Sequence, residues 1–171
     1  MKSIVIIIIF TFVSSALFAQ DVGFMGLNIG MSREEVLNFA DADDLIKVPK
    51  NRDVEFFPVE DRKILSFSVL PEIPHMYLQF YDDKLYAITV IFNEKHIDYF
   101  TLTGVIESKY GPYADLVPEW RKWQIGEVEI RVEKPAVVKY IALEEFIEAA
   151  GFENQNGTNG KERREMILKG L

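Results

Sequence analysis

Val128, Ile130 and Val132 alternate with Glu129, Arg131 and Glu133, and this period of two constrains the fold more than any other feature of the sequence. Successive side chains of a strand point to opposite faces. A strand written this way therefore buries one face and shows water the other, the habit of an antiparallel sheet. The same signature recurs. Leu65, Phe67 and Val69 alternate with Ser66 and Ser68 in a strand over Lys63 to Leu70, and further strands are predicted at Met76 to Tyr81, Leu85 to Phe92, Glu119 to Ile125 and Val137 to Ala142. Pro71 and Pro74 bound the first connection, a hairpin loop lies at Asp82 to Lys84, and Gly126-Glu127 suits a tight turn with glycine first.

Between the strands, capping chemistry marks helices. Ser32 can accept from the Glu35 amide while the Glu35 carboxylate reaches back to Ser32, and Met31 can pack on Val36, so capping box and hydrophobic staple coincide at a helix running to about Ala40. A short apolar stretch, Phe24 to Ile29, leads into it. Residues 41–62 read as loop, with a short strand at Val54 to Phe57 as a candidate. Tyr99, Leu102, Ile106 and Tyr110 share one helical face in Ile97 to Tyr110, stopped by Gly111-Pro112. Leu143 to Ala150 reads as a short helix closed by Gly151. The order is helix, three strands, helix, three strands, short C-terminal helix. That describes an α+β domain, an antiparallel sheet with helices packed on one face, in two similar halves.

Loop length decides which side chains share a face in the central hairpin. A three-residue loop, Asp82 to Lys84, pairs Tyr81 with Leu85 and groups Met76, Leu78, Phe80, Tyr86, Ile88, Val90 and Phe92 as a wholly apolar core face. The other face then carries Tyr77, Gln79, Tyr81 and Thr89, joined on a neighbouring strand by Glu129, Arg131 and Glu133, and both helices pack on the opposite side. A two-residue loop pairs Phe80 with Leu85 and mixes the faces. Trp120 and Trp123 lie on opposite sides of their strand, so at most one is core and the other can anchor a partner. The expected partner-binding residues are Tyr77, Gln79, Tyr81, Trp120, Glu129 and Arg131.

The first residues read as an export signal. Lys2 precedes an apolar run from Ile4 to Val13, and small residues lead to Ala19, so residues 1–19 are expected to be cleaved. The run is shorter than the roughly 20 residues that span a bilayer. No stable membrane insertion is expected after cleavage. A single domain over 20–151 follows, then a linker-like stretch from Glu153 to Gly160 and a C-terminal tail ending at Leu171. The chain contains no cysteine, which excludes disulfides, thiolate metal sites and an acylated N-terminal cysteine. Its 19 basic and 27 acidic residues give a net charge of −8, and loss of Lys2 makes the exported form more acidic still. That field repels phosphate backbones, so nucleic acid is not an expected partner.

Leu27, Asn28, Ile29, Gly30, Met31 and Ser32 through Val36, followed by Met76 to Phe92 with its acidic hairpin turn, form a pattern that resembles the SmpA/OmlA-like and β-lactamase-inhibitor-protein-like (BLIP-like) envelope domains. The resemblance covers the first helix and one hairpin. It implies a small exported binding or assembly module. Two departures stand out: Phe39-Ala40-Asp41-Ala42 replaces the leucine-glycine-x-proline usual after that helix, and the lipid-bearing cysteine of the outer-membrane members is missing.

The chemistry-bearing residues read mainly as structural. His75 lies in a proline-flanked loop and His96 near the second helix, at no spacing that pairs them on a metal. Asp41, Asp43 and Asp44 lack the glycine and distal glutamate of a calcium loop. Asp82 and Asp83 suit a turn. Ser32 is a cap, because Glu34 stands where a nucleophile elbow needs glycine. Asn156-Gly157-Thr158 fits a glycosylation acceptor in a eukaryotic source only. No catalytic, cofactor or metal residues are assigned. The expected function is a non-catalytic binding or assembly module of the bacterial envelope, periplasmic or secreted, with a protein partner. The alternatives are an inhibitor of a secreted enzyme and a carboxylate-dependent secreted hydrolase.

Overall fold

The computed structural model describes residues 21–48 and 62–150. The expected export signal, the strand candidate at Val54 to Phe57, the helix-closing Gly151, the glycosylation pattern at Asn156 and the linker and tail from residue 152 lie outside them. Nine strands and three helices follow in chain order among the described residues: β1 (Gly23–Phe24), β2 (Leu27–Asn28), α1 (Arg33–Ala42), β3 (Arg62–Val69), β4 (Ile73–Tyr81), β5 (Lys84–Ile91), α2 (Tyr99–Tyr110), β6 (Asp115–Val117), β7 (Trp120–Ile125), β8 (Val128–Glu133), β9 (Val137–Ala142) and α3 (Leu143–Ala150).

The alternating segments become one seven-stranded antiparallel sheet in the order β3-β4-β5-β9-β8-β7-β6. Each half contributes a meander, and the two meet through their last strands, where Thr89 faces Lys139 and Ile91 faces Val137. β6 and the small β1–β2 hairpin are additions to the expected order. Pro74 belongs to β4 rather than to the connection before it, and it sits next to the strand's first residue, where a missing N–H is tolerated.

α1 begins where capping chemistry placed it. Glu35 N–H donates to Ser32 Oγ at 3.3 Å, and Ser32 N–H donates to Glu35 Oε2 at 2.8 Å. α2 starts at Asp98, whose Oδ1 accepts from Thr101 N–H at 2.7 Å, and stops at Gly111 with φ 85°. Before α1, the two-residue turn of the β1–β2 hairpin needs Gly26: its φ is 83°, and an added Cβ would lie 2.6 Å from the Phe39 ring.

One face of the sheet is the core. Leu65, Met76, Leu78, Leu85, Ile88, Val90, Ile130 and Val132 are buried there with Val36 and Ala40 of α1 and Tyr99, Leu102 and Ile106 of α2. Trp123 joins them from β7, its Nε1–H donating to the Gly111 carbonyl at 2.8 Å and tying the sheet to the end of α2. Burial, with a smaller contribution from Tyr110, pushes the Tyr140 phenol well above its ordinary pKa, as expected of a dry interior.

Two expectations about this packing are corrected. The central hairpin turns in two residues: Tyr81 faces Lys84 and Phe80 faces Leu85, while Asp82 and Asp83 carry positive φ of 47° and 58°, as a type I′ turn requires. The faces nevertheless do not mix, because a bulge at Tyr86 restores the phase, so that Gln79 faces Ala87 and Leu78 faces Ile88. Tyr86 is thereby removed from the expected core set, and Leu85 takes a buried place in it. The second correction is to the expectation that the helices pack on one face, since α3 packs against Tyr81, Ala87 and Ile141 on the face opposite α1 and α2. This helix follows β9 without a linker and builds a separate small cluster in which Ala149 is buried with Tyr86, Ala87 and Ala142, and Tyr81 and Ile141 pack on it.

Candidate functional site

On the face away from the core, the register aligns one residue from every strand. Asp115, Lys122, Arg131, Lys139, Thr89, Tyr77 and Ser66 lie side by side from β6 to β3. A second row carries Trp120, Glu133, Val137, Ile91 and His75. A third carries Gln124, Glu129, Ile141, Ala87, Gln79 and Ile64. At the strand spacing of about 4.8 Å, seven strands make a surface roughly 30 Å across.

Three cations, Lys122, Arg131 and Lys139, are direct cross-strand neighbours, a like-charge arrangement that destabilises a sheet unless compensated. Carboxylates at alternate positions along β8 compensate it. Arg131 is paired with Glu129, and its Nη1 lies 3.6 Å from Glu133 Oε1. Lys139 Nζ donates to Glu133 Oε2 at 2.7 Å, and Lys122 Nζ lies 3.7 Å from Asp115. The cations keep about 30% of their side-chain surface exposed, so the pairs to Asp115 and Glu133, whose carboxylates are also part-exposed, each add at most about 1 kcal/mol to stability. Their larger effect is to hold the heads in a fixed, nearly neutral lattice. Trp120 lies in that lattice, its ring 5.1 Å from the Arg131 guanidinium and 5.8 Å from Lys122 Nζ. Such cation–π contacts favour a flat indole lying against the sheet.

Across the sheet, Tyr77 is half-buried and stacks against His75 at 6.0 Å, their planes 8° apart. Gln79 and Tyr81 have a different setting. Gln79 Oε1 accepts from the Tyr86 hydroxyl at 2.9 Å, and Tyr81 packs on the cluster that α3 completes. Of the six residues expected to meet a partner, Tyr77, Trp120 and Arg131 lie on the part of the face away from that cluster. Glu129 is buried and orients Arg131. Gln79 and Tyr81 border the α3 cluster.

Sequence patterning misses Lys139, Lys122 and His75 as members of this surface. The first two are visible in the alternation of their strands, whereas His75 needs the earlier start of β4. The remaining singled-out residues have structural settings. His96 Nδ1 lies 3.8 Å from Glu72, Asp43 accepts from Leu45 N–H at 2.9 Å in a local turn, and Ser32 caps α1. No group of three histidine or carboxylate side chains among the described residues converges as metal ligands would. None of the described helices is long and apolar enough to cross a membrane.

Neither a curated protein nor a solved structure matches the chain. Residues 22–151 match the TP0088 domain, a span that takes in every strand and helix described above. The match extends over well more than half of the sequence, and the chain therefore belongs to the TP0088 domain family.

Proposed function

We propose that this chain is a non-catalytic binding module, exported to the bacterial envelope or beyond, that takes a protein partner on the sheet face carrying Trp120, Arg131 and Tyr77. The observation that carries the reading is the state of that face. Away from α3 it is a broad, half-exposed surface whose charged heads are already paired and whose aromatic rings are already held by neighbours. Tryptophan, tyrosine and arginine dominate binding hot spots, because each combines apolar area with a directional polar group. Pre-ordered side chains also lose less entropy when a partner arrives. Export rests on Lys2, the apolar run that follows it and the small residues before Ala19.

The test is affinity capture from envelope extracts, run in parallel with the native chain and with Trp120→Ala and Arg131→Ala. The reading expects a protein retained by the native chain and lost from both variants while both remain folded. Retention unchanged by either substitution, or substrate turnover by the purified chain that vanishes with one carboxylate, would contradict it.

A further inference from the structure

On the helix side of the sheet, at the end where β8 turns into β9, two open hollows of about 730 Å³ and 260 Å³ share Tyr99, Phe100 and Lys134 as common walls. Together they form a groove bordered by Pro135 at one end and by Leu116, Pro118 and Arg121 at the other. We propose that this groove is a second binding site, one that takes an extended acidic segment of a protein. A carboxylate of that segment sits between Arg121 and Lys134, and an apolar neighbour lies on Phe100.

Charge sets the sign of the ligand. The Arg121 guanidinium lies 5.3 Å and Lys134 Nζ 5.5 Å from the centre of the same Tyr99 ring, so two cations are gathered on one aromatic side chain. Lys122, Arg131 and Lys139 on the opposite sheet face each have a carboxylate partner, but among the described residues neither Arg121 nor Lys134 forms an ion pair. In a chain of net charge −8, two neighbouring unpaired cations make a local field opposite to that of the whole. Glu94, Lys95 and Asp98 line the far end of the larger hollow, Asp98 as the cap of α2 with its pKa lowered chiefly by the Thr101 backbone N–H. The walls of the smaller hollow, where Arg121 lies, include no carboxylate among the described residues.

Arg121 is also pre-positioned. Its guanidinium contacts the Tyr113 ring, 5.4 Å away, as well as Tyr99, and Nη1 donates to Thr103 Oγ1 at 3.3 Å. Thr103 is itself held by donating to the Tyr99 carbonyl at 2.8 Å. A planar guanidinium held by such partners matches a carboxylate better than a mobile lysine does.

Shape favours an extended ligand. Phe100 is 70% and Leu116 50% exposed, so two apolar side chains line the groove beside the two cations. The groove is open along its length. Compact ligands are ordinarily buried over most of their surface, which an open trough cannot provide, whereas an extended peptide needs only one side covered.

The test is an array of short synthetic peptides alternating glutamate with apolar residues, each paired with a twin carrying glutamine instead, probed with the purified chain. The expected result is binding of acidic peptides at least about tenfold tighter than of their twins, or about 1.4 kcal/mol. Lys134→Glu and Phe100→Ala, both at exposed positions, should each reduce it about tenfold or more, and Trp120→Ala on the other face should leave it unchanged. No preference for acid over amide, or undiminished binding by Lys134→Glu, overturns the proposal. A small aromatic carboxylate such as phenylpropanoate bound as tightly as the best peptide would replace the peptide with a small molecule. Loss of binding in Trp120→Ala as well would place the peptide on the sheet face instead.

Discussion

The two faces of the sheet use the same strands and the same alternation, yet one is closed and the other open. The closed face joins α1 and α2 to aliphatic and aromatic side chains, with Leu65, Met76, Leu78, Ile88 and Ile130 fully removed from water. Among the described residues, the open face has only the short α3 cluster on it, and the rest carries paired ions and rings held against them. The difference lies in what each face presents to a helix. An apolar face gains about 25 cal/mol for each Å² covered, while covering a face of charges removes solvation that the ion pairs only partly replace. Beyond the α3 cluster, the second face keeps its solvated ion pairs for that reason.

Four sets of substitutions test this contrast. The largest effect is expected from Phe80→Ala on the closed face, which should cost about 3 kcal/mol or more in chemical denaturation through the cavity it leaves. Tyr81→Ala should cost about 1 to 2 kcal/mol, since its ring packs on the α3 cluster, whereas Tyr77→Ala should cost under about 1 kcal/mol and weaken capture of the partner. Equal costs at the two tyrosines would mean that α3 does not divide the face. Ser32→Ala should cost about 1 kcal/mol through loss of the α1 cap.

The smallest effect concerns pH. Hydrogen bonds from the Ser32 backbone and side chain hold Glu35 below the usual glutamate pKa, and the Thr101 backbone N–H does the same for Asp98. A lowered folded-state pKa contributes stability above the ordinary carboxylate range and loses it as pH falls through the folded value. Glu35→Gln and Asp98→Asn should therefore each flatten the acid limb of a stability–pH curve. An unchanged limb would mean that the caps do not hold their carboxylates ionised.

Much of this architecture is legible in the amino-acid sequence, for identifiable reasons. Strands β7 to β9 follow from alternation, α1 and α2 from their apolar spacing and caps, and the opposition of Trp120 and Trp123 from the period of two. The bulge at Tyr86 is not legible. A bulge shifts the phase by one residue with no marker in composition, so turn length alone implies the wrong pairing. β6 escapes because three residues between Ala114 and Pro118 are too few to display a period. The side chosen by α3 depends on how the chain leaves β9 at Ala142 with no linker between them, a tertiary property. The groove is the least legible feature, since Phe100, Arg121 and Lys134 come from three separate segments that only the fold unites.

The chain's two tryptophans provide the most direct test that one face serves folding and the other binding. Trp123 is 1% exposed in the core, while Trp120 lies half-buried on the open face. Acrylamide quenching of the single-tryptophan variants Trp120→Phe and Trp123→Phe, with and without the captured partner, reads the two faces separately. Trp123 should be shielded in both states, and Trp120 quenched in the free chain and protected in the complex. A Trp120 signal already shielded in the free chain, or still quenched in the complex, would contradict it.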